Sequence, residues 1–439
     1  MPTLGLSMIV KNEAETIGPC LDSIREVVSQ IVVADTGSTD NTIALAQKLG
    51  ATVISFPWKD HFADARNAAL AAMKTDWVLS LDADEELDAR AASRIAKLMQ
   101  AREVAGYILP IRNYTPAIDI RAGNAAGHPN DFRHPRAAGA GSYFVYEKCR
   151  LFRRDPRIHF TGRVHEQVEL TLRAAQLGLR SVDCCIHNFG LLLSRGDMRQ
   201  KLEYYRDLLR LRVKEEPNDF RGWTYLGRME YDSFNNRSAA LQNFQQALEL
   251  NPRCVEALLF TAMIDLDLGR AQDAIPFLEF NPPDDESARQ KHRLLGDAFS
   301  QLGQLQESRA AYLNALKLCP GNAELESKLG LLEVRLGMGE SGIRRLTRAA
   351  TTPPPRVDVH DRLMKAYLLT NRLREAAAEA EHLTRLAPHP RAYLRAASIY
   401  AQFRDWCDSA RLLRQGLDLF PDASDLQTAY SESLAQSKG

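Results

Sequence analysis

Six prolines in the second half of the chain, Pro217, Pro252, Pro320, Pro354, Pro388 and Pro421, fall 35, 68, 34, 34 and 33 residues apart, and 68 is twice 34. Proline has no backbone N–H and its ring clashes with the preceding turn, so its regular return marks the same helix end again and again. A period near 34 belongs to a helix–turn–helix unit that buries its apolar face only by stacking on its neighbours. Trp223, Leu226 and Gly227 fit the first helix of such a unit, and Ala240, Phe244 and Ala247 the second. Leu295, Gly296, Phe299, Tyr312 and Ala315 make a cleaner copy, and Leu329, Gly330, Gly342, Leu346 and Ala349 another. The unit between Pro252 and Pro320 is divergent, with Pro276 inside a helix and Asn281-Pro282-Pro283-Asp284-Asp285 after it. About six units are predicted, stacked as an all-α superhelix over residues 217–435. These are packing residues and do not say what the stack binds.

The first half obeys another rule. Apolar runs of strand length, Leu4 to Val10, Ile31 to Ala34, Ala51 to Phe56 and Trp77 to Leu81, alternate with helical stretches from Ala14, Asp40 and Phe62. Strands alternating with helices imply a mostly parallel sheet covered on both faces, and such a sheet binds ligands beyond the carboxyl ends of its strands. Asn12 and Glu13, then Asp35, then Asp82 and Asp84 all fall at those ends. In Asp82-Ala83-Asp84 two carboxylates leave one strand end, with Ala83 pointing away between them. Such a pair suits a hard divalent cation, which in turn holds a diphosphate. No G-x-G-x-x-G and no G-x-x-x-x-G-K-[ST] is present, so phosphate held by backbone amides is disfavoured. Asp35 is placed either to accept from a base N–H or simply to cap the helix that follows.

Residues 112–142 read as an irregular loop, with Gly123, Gly127, Gly139 and Gly141 among Pro116, Pro129 and Pro135. A loop of that length is either a lid or a solvated segment. Residues 110–165 hold ten basic and four acidic groups, and residues 1–109 ten basic and fifteen acidic, so a basic half faces an acidic one. Of Glu166 and its neighbour His165, one reads as a site residue. His187, after Cys184-Cys185-Ile186, ends a strand and is either structural or a ligand.

The motifs Ser7 to Glu13, Asp35 to Thr42, Phe62 to Asn67 and Asp82 to Asp84 resemble, in order, those of family 2 glycosyltransferases with the GT-A fold. His159 to Glu166 and His187 to Gly190 are similar to a bacterial branch that includes the sublancin-type peptide S-glycosyltransferases. That branch also carries a tetratricopeptide-repeat tail. The resemblance implies an α/β GT-A domain over 1–193, a linking helix over 194–216 and repeats over 217–435. It implies that Val10, Glu13, Asp35, Arg66, Asp82 and Ala83 surround a nucleotide sugar, most often uridine-linked. It implies that Asp84, with Asp82 and His187, holds a divalent cation, Mn2+ or Mg2+, and that Glu166 is the general base.

With 56 basic and 56 acidic residues the chain has no polyanion footprint, and nucleic acid is excluded as an expected partner. Seven scattered cysteines without C-x-x-C, no apolar run of membrane-spanning length and no signal leader point to a cytoplasmic protein. Arg195 to Lys214 reads as a linking helix or a membrane-surface contact. The expected activity is a metal-dependent inverting transfer of sugar to a peptide or protein, with a protein partner on the repeats. The alternatives are a cell-envelope saccharide acceptor and an inactive repeat scaffold.

Overall fold

The computed structural model describes residues 2–116, 121–122, 125–131, 134–193 and 198–437. Asp119, Gly123, Arg133 and Arg195, on which sequence readings fell, lie outside the described residues. The chain forms two compact units, Met1–Leu250 and Asn251–Gly439.

In the first unit the strands are β1 (Leu4–Val10), β2 (Gln30–Asp35), β3 (Thr52–Ser55), β4 (Trp77–Ser80), β5 (Glu85–Leu87), β6 (Gly106–Thr115), β7 (Arg121–Ala122), β8 (Ala125–Ala126), β9 (His128–Pro129), β10 (Ser142–Arg153), β11 (Leu179–Ser181) and β12 (Ile186–Asn188). The helices are α1 (Ile17–Ile24), α2 (Thr42–Lys48), α3 (Phe62–Ala71), α4 (Ala91–Leu98), α5 (Glu169–Ala174), α6 (Gly190–Leu193), α7 (Met198–Glu215), α8 (Phe220–Asp232) and α9 (Arg237–Leu250). The main sheet runs in the order β3-β2-β1-β4-β10-β6-β12-β5. Its first four strands are parallel, and β10 runs antiparallel between β4 and β6, so the sheet is mixed.

Alternation along the strands builds a layer on each face. Leu4, Leu6, Met8, Val33, Trp77 and Leu79 meet residues of α1 and α4 on one side. Val32, Ala34, Val78 and Phe152 meet residues of α3 and α5 on the other. The described residues of the stretch 112–142 include regular structure. β6 continues to Thr115, β9 pairs with β10, and a 3-10 turn spans Pro135–Ala137.

The second unit is helical: α10 (Val255–Asp267), α11 (Ala271–Ala274), α12 (Asp285–Gln301), α13 (Leu305–Leu318), α14 (Ala323–Arg335), α15 (Gly339–Ala350), α16 (Val357–Leu369), α17 (Leu373–Leu386), α18 (Pro390–Gln402), α19 (Trp406–Leu419) and α20 (Ser424–Ser437). The helices pair in chain order as the proline period requires. Pro276 breaks the divergent unit, whose second helix stops at Ala274 and passes into a 3-10 turn, Pro276–Leu278. Gly227 faces the Phe244 ring and Gly296 the Tyr312 ring so closely that no Cβ fits at either. Paired helices therefore meet with bare backbone against an aromatic side chain.

Candidate active site

The parallel half of the sheet brings the rim residues together. Val10 and Asp35 are register partners at the ends of β1 and β2, and Thr36 N–H and Oγ1 both donate to the Val10 carbonyl at 2.9 Å. Asp35 is buried and accepts from Gly37 N at 3.0 Å and Ser38 N at 3.1 Å, so its carboxylate shapes the turn that follows. Asn12, at a positive φ of 58°, accepts from Thr39 N at 2.7 Å and ties the first rim turn to the second. Glu13 accepts from the Thr16 hydroxyl, and burial raises its carboxyl, with Asp82 adding to the rise.

Beyond β4 the geometry becomes electrostatic. Arg66, buried on α3, donates Nε to Glu166 Oε1 at 2.5 Å, one NH2 to Asp82 Oδ1 at 2.6 Å and the other to Ser80 Oγ at 3.3 Å. Arg150, buried on β10, reaches Asp82 Oδ2 at 3.2 Å and Glu85 Oε1 at 2.8 Å. Glu85 in turn accepts from Asp82 N at 2.9 Å and from Asn188 Nδ2 at 3.3 Å. A continuous chain results: Glu166, Arg66, Asp82, Arg150, Glu85.

Two cations serve three carboxylates in that chain, and the protonation of each follows from its place. Burial raises Asp82, but Arg66 and then Arg150 overcome it and hold its carboxyl well below the usual range. Burial also raises Glu166, and Arg66 followed by Lys148 outweighs it, so Glu166 is held low. Asp84 is outside the chain and has no ion pair among the described residues. Burial, then Asp82, Glu85 and Glu13, push its carboxyl up to about 8. Ala83, buried between the two acids, makes no polar side-chain contact, as its methyl group dictates.

His187 is not brought to the acidic turn. Its Nδ1 meets the Tyr114 hydroxyl at 2.9 Å and its Nε2 meets Asp88 Oδ2 at 3.2 Å, with the ring 1% exposed. The reason is strand alternation: on β12, His187 pairs with Glu86, whereas Asn188 pairs with Glu85 and lies on the side of Asp84. Both ring nitrogens are committed to these partners, so His187 would reach a cation beside Asp84 only after leaving them. Asp82 is likewise committed on both oxygens. Among the described residues no group of three or more His, Cys, Asp or Glu is arranged to hold a metal. Asp84 itself fits a hard cation: a half-buried carboxylate whose strongest neighbours are other carboxylates lacks positive charge.

Sequence reasoning missed Arg150, Glu85 and Lys148. The sequence shows only that Glu85 follows Asp84; that it is 1% exposed and paired with Arg150 depends on register.

Residues 6–159 match the model of glycosyl transferase family 2, residues 229–279 a tetratricopeptide repeat and residues 296–337 a TPR repeat. The N-terminal domain is thus a family 2 glycosyltransferase domain, and tetratricopeptide repeats follow it. A TPR repeat-containing protein of Synechococcus elongatus is 35% identical over 176 residues, 40% of this chain and 38% of that one. An uncharacterized glycosyltransferase of Rickettsia felis is 39% identical over 87 residues, 20% of this chain and 30% of that one. The SPbeta prophage-derived glycosyltransferase SunS of Bacillus subtilis is 26% identical over 174 residues, 38% of this chain and 35% of that one. The chain spans between 30% and 38% of the length of these curated relatives.

Proposed function

We propose that this chain is a metal-dependent inverting glycosyltransferase that moves a sugar from a uridine-linked nucleotide sugar to a peptide or protein. The observation that carries the reading is the guanidinium–carboxylate chain from Glu166 to Glu85, set at the strand ends beside Asp84. It provides a carboxylate for an acceptor proton and two buried guanidiniums for a departing diphosphate, and leaves one carboxylate free for a cation.

In this reading Asp35 and the Val10 strand end receive the base, and Glu13, Arg66 and Ala83 line the donor. Asp84 holds Mn2+ or Mg2+, with Asp82 and His187 as the further ligands the family resemblance implies; both must first leave their present partners. The cation, when bound, supplies positive charge for the diphosphate leaving group. Glu166 takes the proton from an acceptor hydroxyl or thiol. The freed oxygen or sulfur bonds to the anomeric carbon on the face opposite the leaving group, and the carbon–oxygen bond to the nucleoside diphosphate breaks. Release of the diphosphate leaves a negative charge that Arg66 and Arg150 face.

Residues 1–193 would carry donor chemistry, 194–216 link, and 217–435 offer the surface for a macromolecular acceptor or partner. No helix among the described residues is long and apolar enough to cross a membrane, which supports a cytoplasmic reading. A saccharide acceptor is the second reading. The test is nucleoside diphosphate release from a panel of sugar nucleotides, with Mn2+, with Mg2+ and with excess chelator. Undiminished turnover in chelator removes the metal, and no turnover with any donor favours the inactive scaffold.

A further inference from the structure

Glu166 is presented by a loop that closes on itself. Thr161 N donates to Gln167 O at 3.0 Å and Gln167 N to Thr161 O at 3.1 Å. Inside the closure Gly162 has φ +96° and His165 φ +54°. A residue with a Cβ holds a left-handed conformation only when its surroundings impose it. His165 is the residue directly before Glu166, so the direction of Glu166 depends on whatever holds His165.

That hold comes from α7 and α8. Arg212, 3% exposed on α7, donates one NH2 to Val164 O at 2.5 Å and the other to Asp219 Oδ2 at 2.7 Å. Its guanidinium lies against Gly162, where a Cβ would stand 3.0 Å from the nearer nitrogen. Tyr225, on α8, has its ring 4.7 Å from that of His165, and its hydroxyl accepts from Gln167 Nε2 at 2.8 Å. Arg163 donates to Glu215 at 2.9 Å, and Val164 packs with Leu208, Leu209, Val213 and Leu226. Every loop residue from 162 to 167 except Glu166 is therefore gripped by α7 or α8. Glu166 turns its carboxylate to Arg66 on α3.

We infer that Arg212 and Tyr225 are positioning residues for Glu166, so that the linking helix and the first repeat belong to the catalytic machinery. The inference rests on the reading of Glu166 as the base. It gives the first repeat a function apart from recognition: it sets the geometry of proton abstraction.

The test uses the full chain. Uridine diphosphate with Mn2+ is the binding probe, and hydrolysis of UDP-glucose and UDP-N-acetylglucosamine the turnover probe. Arg212→Met should lower kcat by up to about a hundredfold, the loss that displacement of a catalytic group by about 1 Å can bring, with uridine diphosphate affinity unchanged. Tyr225→Phe keeps the ring, removes one hydrogen bond and should cost severalfold. Amide exchange over 161–168 should quicken in both. In a Glu166→Gln background neither change should slow turnover further, because a positioning residue has nothing left to position. An equal further loss in that background overturns the inference, as does unaltered exchange in the loop. If Glu166→Gln alone turns over normally, the base reading fails and with it the role of the clamp in catalysis. Quickened exchange in Arg212→Met would then retain the clamp as structural alone.

Discussion

Arg66 and Glu166 form a buried ion pair, Nε to Oε1 at 2.5 Å, and the same guanidinium holds Asp82 at 2.6 Å. One side chain thus governs both the proposed base and the first acid of the acidic turn. Arg66→Met leaves the largely buried Glu166 without its cation and the part-exposed Asp82 with Arg150 alone, and should cost about 1–3 kcal/mol, read by denaturant melting at pH 7. Both acids are held low in the fold, so their stabilisation is present above about pH 4 and is lost as pH falls through the lowered values. The gap between wild type and variant should therefore close on acidification.

Glu166→Gln keeps the shape and loses the proton acceptor. Transfer should fall about a hundredfold or more while donor affinity survives, as initial rates and calorimetry would record. Near-normal transfer at neutral pH would move the role of base elsewhere.

Asp82 and Asp84 should respond oppositely to amide replacement. Asp82→Asn breaks ion pairs to Arg66 and Arg150 and should lower the melting temperature. Asp84→Asn removes a carboxylate beside other carboxylates and should raise the melting temperature, with a gain in stability of about 1–3 kcal/mol at pH 9, while abolishing metal-dependent turnover. The sign follows from a carboxyl raised to about 8: the wild type keeps its stability below about pH 4 and loses it as pH rises through 8. The two melting curves should converge in acid, measured without added metal.

His165 gives the opposite pH signature. Burial first, then Lys148, lowers its imidazole to about 4, so folding favours the neutral ring. Its stability contribution is present above the unfolded value near 6.5 and is lost as pH falls through 4. His165→Asn, with a side chain that tolerates left-handed backbone, should lose about 1–3 kcal/mol less than wild type between pH 7 and pH 4, by thermal melting.

Chain length makes a further prediction. A fragment ending at residue 195 lacks Leu208, Leu209, Val213 and Leu226, which cover Val164 and Phe62, and should aggregate or exchange its loop freely. A fragment ending at Leu250 retains them and should bind uridine diphosphate as the whole chain does. Transfer to the native acceptor should still need residues 251–435. Equal binding by both fragments would show that α7 and α8 are dispensable to the donor site.

The parts of this architecture legible in the sequence are those written in neighbouring residues. Apolar runs that stop at Asp35 and Asp82 announce strand ends, and the proline period announces the repeats. What was not legible depends on register. Arg150 is one basic residue among several between 148 and 157, and only the shift in β10 pairing between Cys149 and Leu151 determines which side chains enter the site. His187 and Asn188 look equally able to approach the acidic turn, and the pairing of β12 with β5 decides for Asn188. The clamp from Arg212 spans 48 residues to Val164, a contact that no local pattern encodes.

The pairing of β5 with β12 also sets an order in time. Asn188 meets Glu85 across 103 residues of sequence, so a chain growing from the ribosome makes its acidic turn long before the strand that covers it. Among the described residues β5 joins the sheet through β12 and through no other strand, so until β12 emerges Glu85 and Glu86 have no sheet to join. β12 lies beside β6 and carries β5 in with it. The acidic turn, written early in the sequence, therefore gains its sheet contacts only when residues 186–188 arrive.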